Sequence, residues 1–171
     1  MSALEIVRLE ARHWDAVRAI LEEGIDTGQA TFETAVPEWN DWDAAHRRDC
    51  RLVAVVDGAV AGWAALTPVS PRAAYAGVAE VSIYIGAAYR ARGIGRALLG
   101  RLIAASEEEG IWTLQAIVFP ENAASVALHR GAGFRLVGRR ERIARLRGRW
   151  QDTLLLERRS RVATTDAPEA R

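Results

Sequence analysis

The strongest constraint on this chain is a change of hydrophobic period between residues 80 and 105. Val81, Ile83 and Ile85 alternate with Glu80, Ser82 and Tyr84, the period of two of a half-buried strand. From Gly93 onward Ile94, Leu98, Leu102 and Ala105 recur at helical spacing, and Gly110 offers a stop. The switch falls on Arg90-Ala91-Arg92-Gly93-Ile94-Gly95, an arginine-rich turn with two glycines at the helix mouth. Such a turn suits phosphate: glycine admits close backbone approach, and the free N–H groups and dipole of a helix start favour an anion. An ordinary strand-to-helix turn with solvated arginines has the same composition, so the pattern alone leaves both readings open.

The spacing excludes two common nucleotide loops. A Walker loop requires Gly-Lys-Ser/Thr after four intervening residues, which is absent, and a dinucleotide fingerprint requires glycine where Leu98 stands. The turn resembles instead the Arg/Gln-x-x-Gly-x-Gly/Ala loop of the GCN5-related N-acetyltransferases (GNAT), which holds the pyrophosphate of acetyl-coenzyme A.

A chain of 171 residues, 50% hydrophobic and 26% charged, fits one globular domain, expected over residues 1–157 with a charged, disordered tail over 158–171. A net charge of +1 carries no strong basic footprint, so nucleic acid is not an expected partner. No stretch approaches 18 apolar residues and the start lacks a signal-like run, which makes a membrane role unexpected and the cytoplasm the default location. Cys50, the single cysteine, is expected as a small buried residue. His13, His46 and His129 lack ligand spacing, so no metal site is expected, and His46 is placed at the surface. No Gly-x-Ser-x-Gly elbow occurs.

Alternation and helical periodicity predict strands at 4–9, 51–56, 59–66, 80–85, 112–119, 134–143 and 150–157. Helices are predicted at 11–25, from Pro37 with Trp39, Trp42 and Ala45 on one face, from Gly93 to Gly110, and at 123–130 behind an Asn122 cap. Asp57-Gly58 reads as a tight hairpin turn, and a basic loop around Gly148 joins the last two strands. The result is a mixed α/β (α+β) domain with a central mixed sheet flanked by helices. Its element order matches the acetyltransferase fold, so the resemblance extends over nearly the whole chain.

Further motifs narrow the resemblance. Asn122-x-x-Ser125-x-x-Leu128-His129-x-x-x-Gly133-Phe134 is similar to a segment common in the family. Arg72-x-x-Tyr75, Glu80-x-Ser82-Ile83-Tyr84-Ile85, Gly148-Arg149-Trp150-Gln151-Asp152, Ala30-Thr31-Phe32-Glu33 and Trp63 resemble the phosphinothricin and methionine sulfone or sulfoximine N-acetyltransferase group. Pro68-Val69-Ser70-Pro71 stands where that group often carries Trp.

The resemblance implies a division of labour. Ala91, Arg92, Gly93, Ile94, Gly95 and Arg96 would bind the pyrophosphate of acetyl-CoA through backbone N–H groups. Ile83, Tyr84 and Ile85 would pair with the pantetheine arm as an added strand, with Asn122 and Ser125 near the same arm. Glu80 is the expected general base for the amine; its alternative is a surface glutamate on a half-exposed strand. His129 stands where relatives place a tyrosine that protonates the leaving thiolate; its alternative is core packing. The polar, irregular stretch 26–33 makes Phe32 and Glu33 candidates for a substrate wall; the alternative is a loop pinned by one buried Phe. Arg72, Ala73, Ala74 and Tyr75 would contact the acceptor, Arg72 gripping a carboxylate or phosphinate; the alternative is a loop arginine making no specific contact. The expected activity is acetyl-CoA-dependent N-acetylation of a small amino-acid-like amine by a homodimer. A protein N-terminus or polyamine as acceptor, and a coenzyme A-binding module without turnover, are the alternatives.

Overall fold

The computed structural model describes residues 3–163. In chain order the elements are β1 (Leu4–Arg8), α1 (Trp14–Asp26), α2 (Trp39–Ala45), β2 (Arg51–Val56), β3 (Ala59–Pro68), β4 (Val78–Ile85), α3 (Ile94–Glu108), β5 (Thr113–Val118), α4 (Ala123–Gly131), β6 (Arg135–Leu146) and β7 (Arg149–Arg159). The strands form one seven-stranded sheet in the order β1-β2-β3-β4-β5-β7-β6. Every neighbouring pair is antiparallel except β4 and β5, which α3 connects as parallel strands. Mixed architecture and element order both follow the expectation.

Alternating side chains send each strand's apolar residues to two cores. On one face Leu98, Leu99 and Leu102 of α3 pack on Ala64, Leu66, Ala79, Val81, Leu114, Ala116 and Leu156. On the other, Val17, Ile20 and Leu21 of α1 pack on Val53, Trp63 and Ala65, with Tyr84 at the margin. Glu80, Ser82 and Tyr84 therefore look toward α1, while Val81, Ile83 and Ile85 look toward α3.

Local signals decide several ends. Asp57 and Gly58 take φ of 50° and 82°, the left-handed pair that a two-residue hairpin turn demands. α3 closes with Gly110 N–H donating to Glu107 O at 3.1 Å and Ile111 N–H to Ser106 O at 2.9 Å. That satisfies its last carbonyls. β4 and β5 pair only from Val78 to Glu80 against Thr113 to Gln115, and then diverge.

Tertiary context moved other expectations. α2 is capped by Glu38 and starts at Trp39, two residues past Pro37, and Ala45 is exposed rather than on the buried face. His46 is not a surface residue: its ring stacks on Trp42 at 4.1 Å, and burial lowers its pKa. Trp42 anchors this region, meeting Trp14, Trp39 and Trp63 at 5.5–5.7 Å, and Trp63 stacks on Tyr84 at 4.9 Å. Gly24 of α1 allows that ladder to close, because a Cβ there would lie 2.7 Å from the Tyr84 ring. Cys50 is fully buried, as expected, and burial pushes its thiol up to about 12.

The ordered chain also continues past Glu157. Arg158 pairs with Glu107 at 2.9 Å, and the buried Ser160 donates to the same carboxylate at 2.9 Å, tying the end of β7 to α3. The remainder of the expected tail, 164–171, lies outside the described residues. Among the described residues no helix is long and apolar enough to cross a membrane.

Candidate active site

Where β4 and β5 part, a cavity of about 800 Å³ passes between them. Its walls join the α3 side of the sheet to the α1 side. One end is built largely of backbone and the other of side chains.

The backbone end is the turn before α3. Ala91 and Gly93 both adopt left-handed φ, 58° and 78°, so successive N–H groups curl into a concavity that suits an anion. The first intrahelical bond here runs from Ala97 N–H to Gly93 O at 3.1 Å, leaving the Ile94, Gly95 and Arg96 N–H groups of the first turn ahead of the ladder. Nothing lies within 4 Å of a Cβ placed on Gly93; its glycine is required by the turn, not by space. Arg92 and Arg96 are exposed, with the Arg92 guanidinium 5.5 Å from the Tyr89 ring centre. Arg90 Nε donates to Ile85 O at 3.3 Å and fastens the turn to the end of β4.

Along β4 the expectation is refined. The Tyr84 carbonyl faces β3, since it would lie 2.8 Å from a Cβ on Gly62. By alternation the Ile83 and Ile85 backbone groups face the gap, where β5 no longer pairs with them. Two of the three expected residues thus offer a free strand edge, and Tyr84 contributes its ring to the cavity wall instead.

Glu80 stands at the vertex, the last residue of β4 paired with β5. Its Oε2 accepts a hydrogen bond from Gln115 Nε2 at 2.8 Å, and its side chain is half-buried on the cavity wall. Ser82 and Tyr84 follow on the same face. The Tyr84 phenol is raised by burial, against an opposing hydrogen bond with Thr31.

His129 closes the α4 side and is 2% exposed. Its Nδ1 lies 2.8 Å from Ser125 O, and a carbonyl only accepts, so Nδ1 carries the proton. Nε2 is then a lone pair; it is buried on the cavity lining with no partner among the described residues. Burial lowers the pKa, the Ser125 carbonyl opposing it. In the neutral ring, which burial favours, Nε2 has a lone pair and no proton to give. Asn122 does cap α4, accepting from Ser125 N–H at 3.1 Å, and its Nδ2 donates to Gln29 O at 3.3 Å. It therefore ties α4 to the loop after α1.

The side-chain end is made by that loop and the last hairpin. Phe32 meets Phe119 edge-on at 4.9 Å, and both line the cavity. Thr31, Glu33, Arg140, Ile143 and Thr153 complete it. Arg72, Ala73, Ala74 and Tyr75 do not reach it. They are exposed on a single 3-10 turn, Ala73–Tyr75, with the Arg72 guanidinium 5.9 Å from the Tyr75 ring centre. The Arg72 N–H is held by the Ser70 hydroxyl at 3.2 Å and Val69 N–H by Val78 O at 3.4 Å, which turns the segment outward.

From the sequence Ser82 stands out only as part of a motif, and neither Gln115 nor Arg140 is singled out. For Gln115 and Ser82 a usable signal existed, since both are polar residues on alternating strands. Among the described residues no three His, Cys, Asp or Glu side chains converge as a metal site.

Comparison with known proteins agrees with this fold. Residues 14–134 match the model of the "Acetyltransferase (GNAT) family". A phosphinothricin N-acetyltransferase of Alcaligenes faecalis is 34% identical over 165 residues, covering 90% of this chain and 81% of the relative. A phosphinothricin acetyltransferase of Sinorhizobium meliloti, crystallised with AcCoA, superposes with a TM-score of 0.85 at 28% identity, covering 98% of this chain and 94% of that one. A ribosomal-protein-alanine N-acetyltransferase of Brucella melitensis superposes with a TM-score of 0.85 at 30% identity, covering 91% and 99%.

Proposed function

This chain belongs to the acetyltransferase (GNAT) family, and on that premise we propose that it transfers the acetyl group of acetyl-CoA to the α-amine of a small amino-acid-like acceptor of the phosphinothricin or methionine sulfone type. The observation that carries the reading is the position of Glu80, where the two ends of one cavity meet. The residues fit the cosubstrate: an N–H concavity for pyrophosphate, an unpaired β4 edge for an extended amide-bearing arm, and Glu80 beyond it.

The chemistry follows from those groups. At neutral pH an α-amine carries a proton it must lose before its lone pair can attack. Glu80, oriented by Gln115, takes that proton directly or through one water. The nitrogen then bonds to the acetyl carbon and the carbon–sulfur bond breaks. The second amine proton, shed as the amide forms, goes to the departing sulfur, which balances the reaction. Holding both partners in one pocket supplies much of the rate by orientation. His129, neutral and buried, donates a proton to the departing sulfur only after acquiring one, which burial opposes.

A second reading is favoured by the Brucella likeness: an N-terminal alanine of a protein as acceptor. The test is turnover with acetyl-CoA against phosphinothricin, methionine sulfone, methionine sulfoximine, spermidine and an alanine-initiated peptide. Acetylation of one of the first three supports the proposal, acetylation of the peptide alone shifts the acceptor, and coenzyme A binding without any turnover removes the enzyme reading. The exposed Leu136, Val137, Ile143 and Trp150 on the β6–β7 hairpin support a homodimer, which sedimentation at micromolar concentration checks.

A further inference from the structure

The acceptor end of the cavity carries a cation of its own. Arg140 lies on β6 opposite Thr153 of β7, and its Nε donates to the Thr153 hydroxyl at 3.2 Å. Thr153 is fully buried, so this bond pins the stem of the arginine to the wall that both residues line. Neighbouring arginines on the hairpin are neutralised, Arg139 by Asp152 at 2.6 Å and Arg135 by Glu157. Arg140 is half-buried and has no carboxylate within ion-pair distance among the described residues. Its terminal N–H groups form a fork matched to an oxyanion, and partial burial strengthens such a contact.

The face is the correct one. Leu154 and Leu156 of β7 join the core beneath α3, so Thr153, and Arg140 opposite it, share the other face with Glu80 and Gln115. Arg140 is two strands across from β5 and well beyond Gln115 along it. Strand rise and spacing then put the Cα atoms of Glu80 and Arg140 about 20 Å apart, and both side chains line the cavity that runs between them. An amine served by Glu80 through one water is too far from Arg140 for its own α-carboxylate to bridge the gap. An anion at the far end of the acceptor's side chain is the group that comes nearest to it.

We propose that Arg140 is a specificity-determining residue that binds the anionic end group of the acceptor side chain, a phosphinate or comparable oxyanion. The inference rests on the amino-acid-like acceptor proposed above and names the group by which acceptors are chosen. The test uses the full chain saturated with coenzyme A. Binding of phosphinothricin, with its anionic end, and of methionine sulfone, with a neutral end, is measured by calorimetry alongside turnover. In Arg140→Gln the Kd and KM for phosphinothricin should rise about 10- to 100-fold, the worth of a charge-assisted contact, with kcat within about threefold. Methionine sulfone should change by less than about threefold, and Arg140→Lys should recover part of the loss. Equal changes for both compounds, or none, overturn the role of Arg140 even where turnover upholds acetyl transfer. Arg140-dependent binding without turnover of either compound keeps the anion site and overturns the acceptor reading. Wild-type protein that binds neither compound overturns both.

Discussion

The two ends of the cavity are built by different rules. The end at Ala91–Arg96 uses backbone N–H groups from one contiguous segment, held by two left-handed residues and a helix start. The end at Phe32, Arg140 and Thr153 uses side chains from the loop after α1, from β5's end and from the last hairpin, joined only by the sheet. A site made of contiguous backbone is insensitive to most side-chain changes but vulnerable where φ must be positive. A site made of distant side chains tolerates drift in any one of them and can change its ligand at the cost of a single substitution.

Glu80, at the junction, should give the largest effect. Glu80→Gln keeps the Gln115 neighbour and the size of the side chain but cannot take a proton, so kcat should fall about 10²- to 10⁴-fold. Acetyl-CoA binding, measured by calorimetry, should hardly change, and activity should recover partly at high pH where free amine forms unaided. Full kcat at pH 7 would remove Glu80 from the mechanism and bring Tyr84 forward.

Gly93→Asp probes the backbone end. The new carboxylate enters open space beside the N–H concavity, while the left-handed φ of 78° makes any side chain there strain the turn, so the ligand-free melts of variant and wild type are compared first. The stabilisation that acetyl-CoA confers, about 2.7 kcal/mol at a hundredfold excess over Kd, should vanish from thermal melts. An undiminished shift would break the contrast between the two ends, because backbone would then not be the anchor.

Gln115→Leu sharpens it from the junction outward. Loss of the one hydrogen bond to Glu80 should lower kcat about 10-fold without moving the KM for acetyl-CoA. A drop in acetyl-CoA affinity instead would assign Gln115 to the cosubstrate end.

The smallest expected effect is on stability. His129 and His46 both have pKa values lowered by burial, so the unfolded chain takes up protons more readily than the folded one. Stability is retained above the ordinary histidine range and declines as pH falls below about 6.5. The acid slope of the melting temperature should be shallower in His129→Gln than in wild type. An unchanged slope would mean that the ring does not stay neutral in its pocket.

What could be read from the sequence follows the same division. The β4–turn–α3 unit was legible because its signals are local: period two, two glycines, then helical spacing. Asn122 was legible as a cap for the same reason. Glu80 was legible as a position, but not its partner, since Gln115 is 35 residues away and meets it only through the parallel register. His46 looked polar and isolated until α2 laid it between Trp42 and Trp63. Likeness to relatives points to Arg72 as the acceptor cation, but that loop turns outward, and the proposed cation, Arg140, lies on the bulged, arginine-rich β6. No period in 135–146 distinguishes that arginine from its paired neighbours; only register does.

The aromatic ladder has an optical consequence. Trp14, Trp39, Trp42 and Trp63, four of the six tryptophans, sit with neighbouring ring centres no more than 5.7 Å apart, and the ladder ends on Tyr84 in the cavity wall. Rings that close share their electronic excitation, so most of the near-ultraviolet signal comes from one coupled chromophore rather than from scattered indoles. Its final rung forms part of the binding wall. A ligand that tilts Tyr84 therefore changes the circular dichroism and emission of the whole stack, and occupancy of the acceptor pocket can be followed with the light the protein already absorbs.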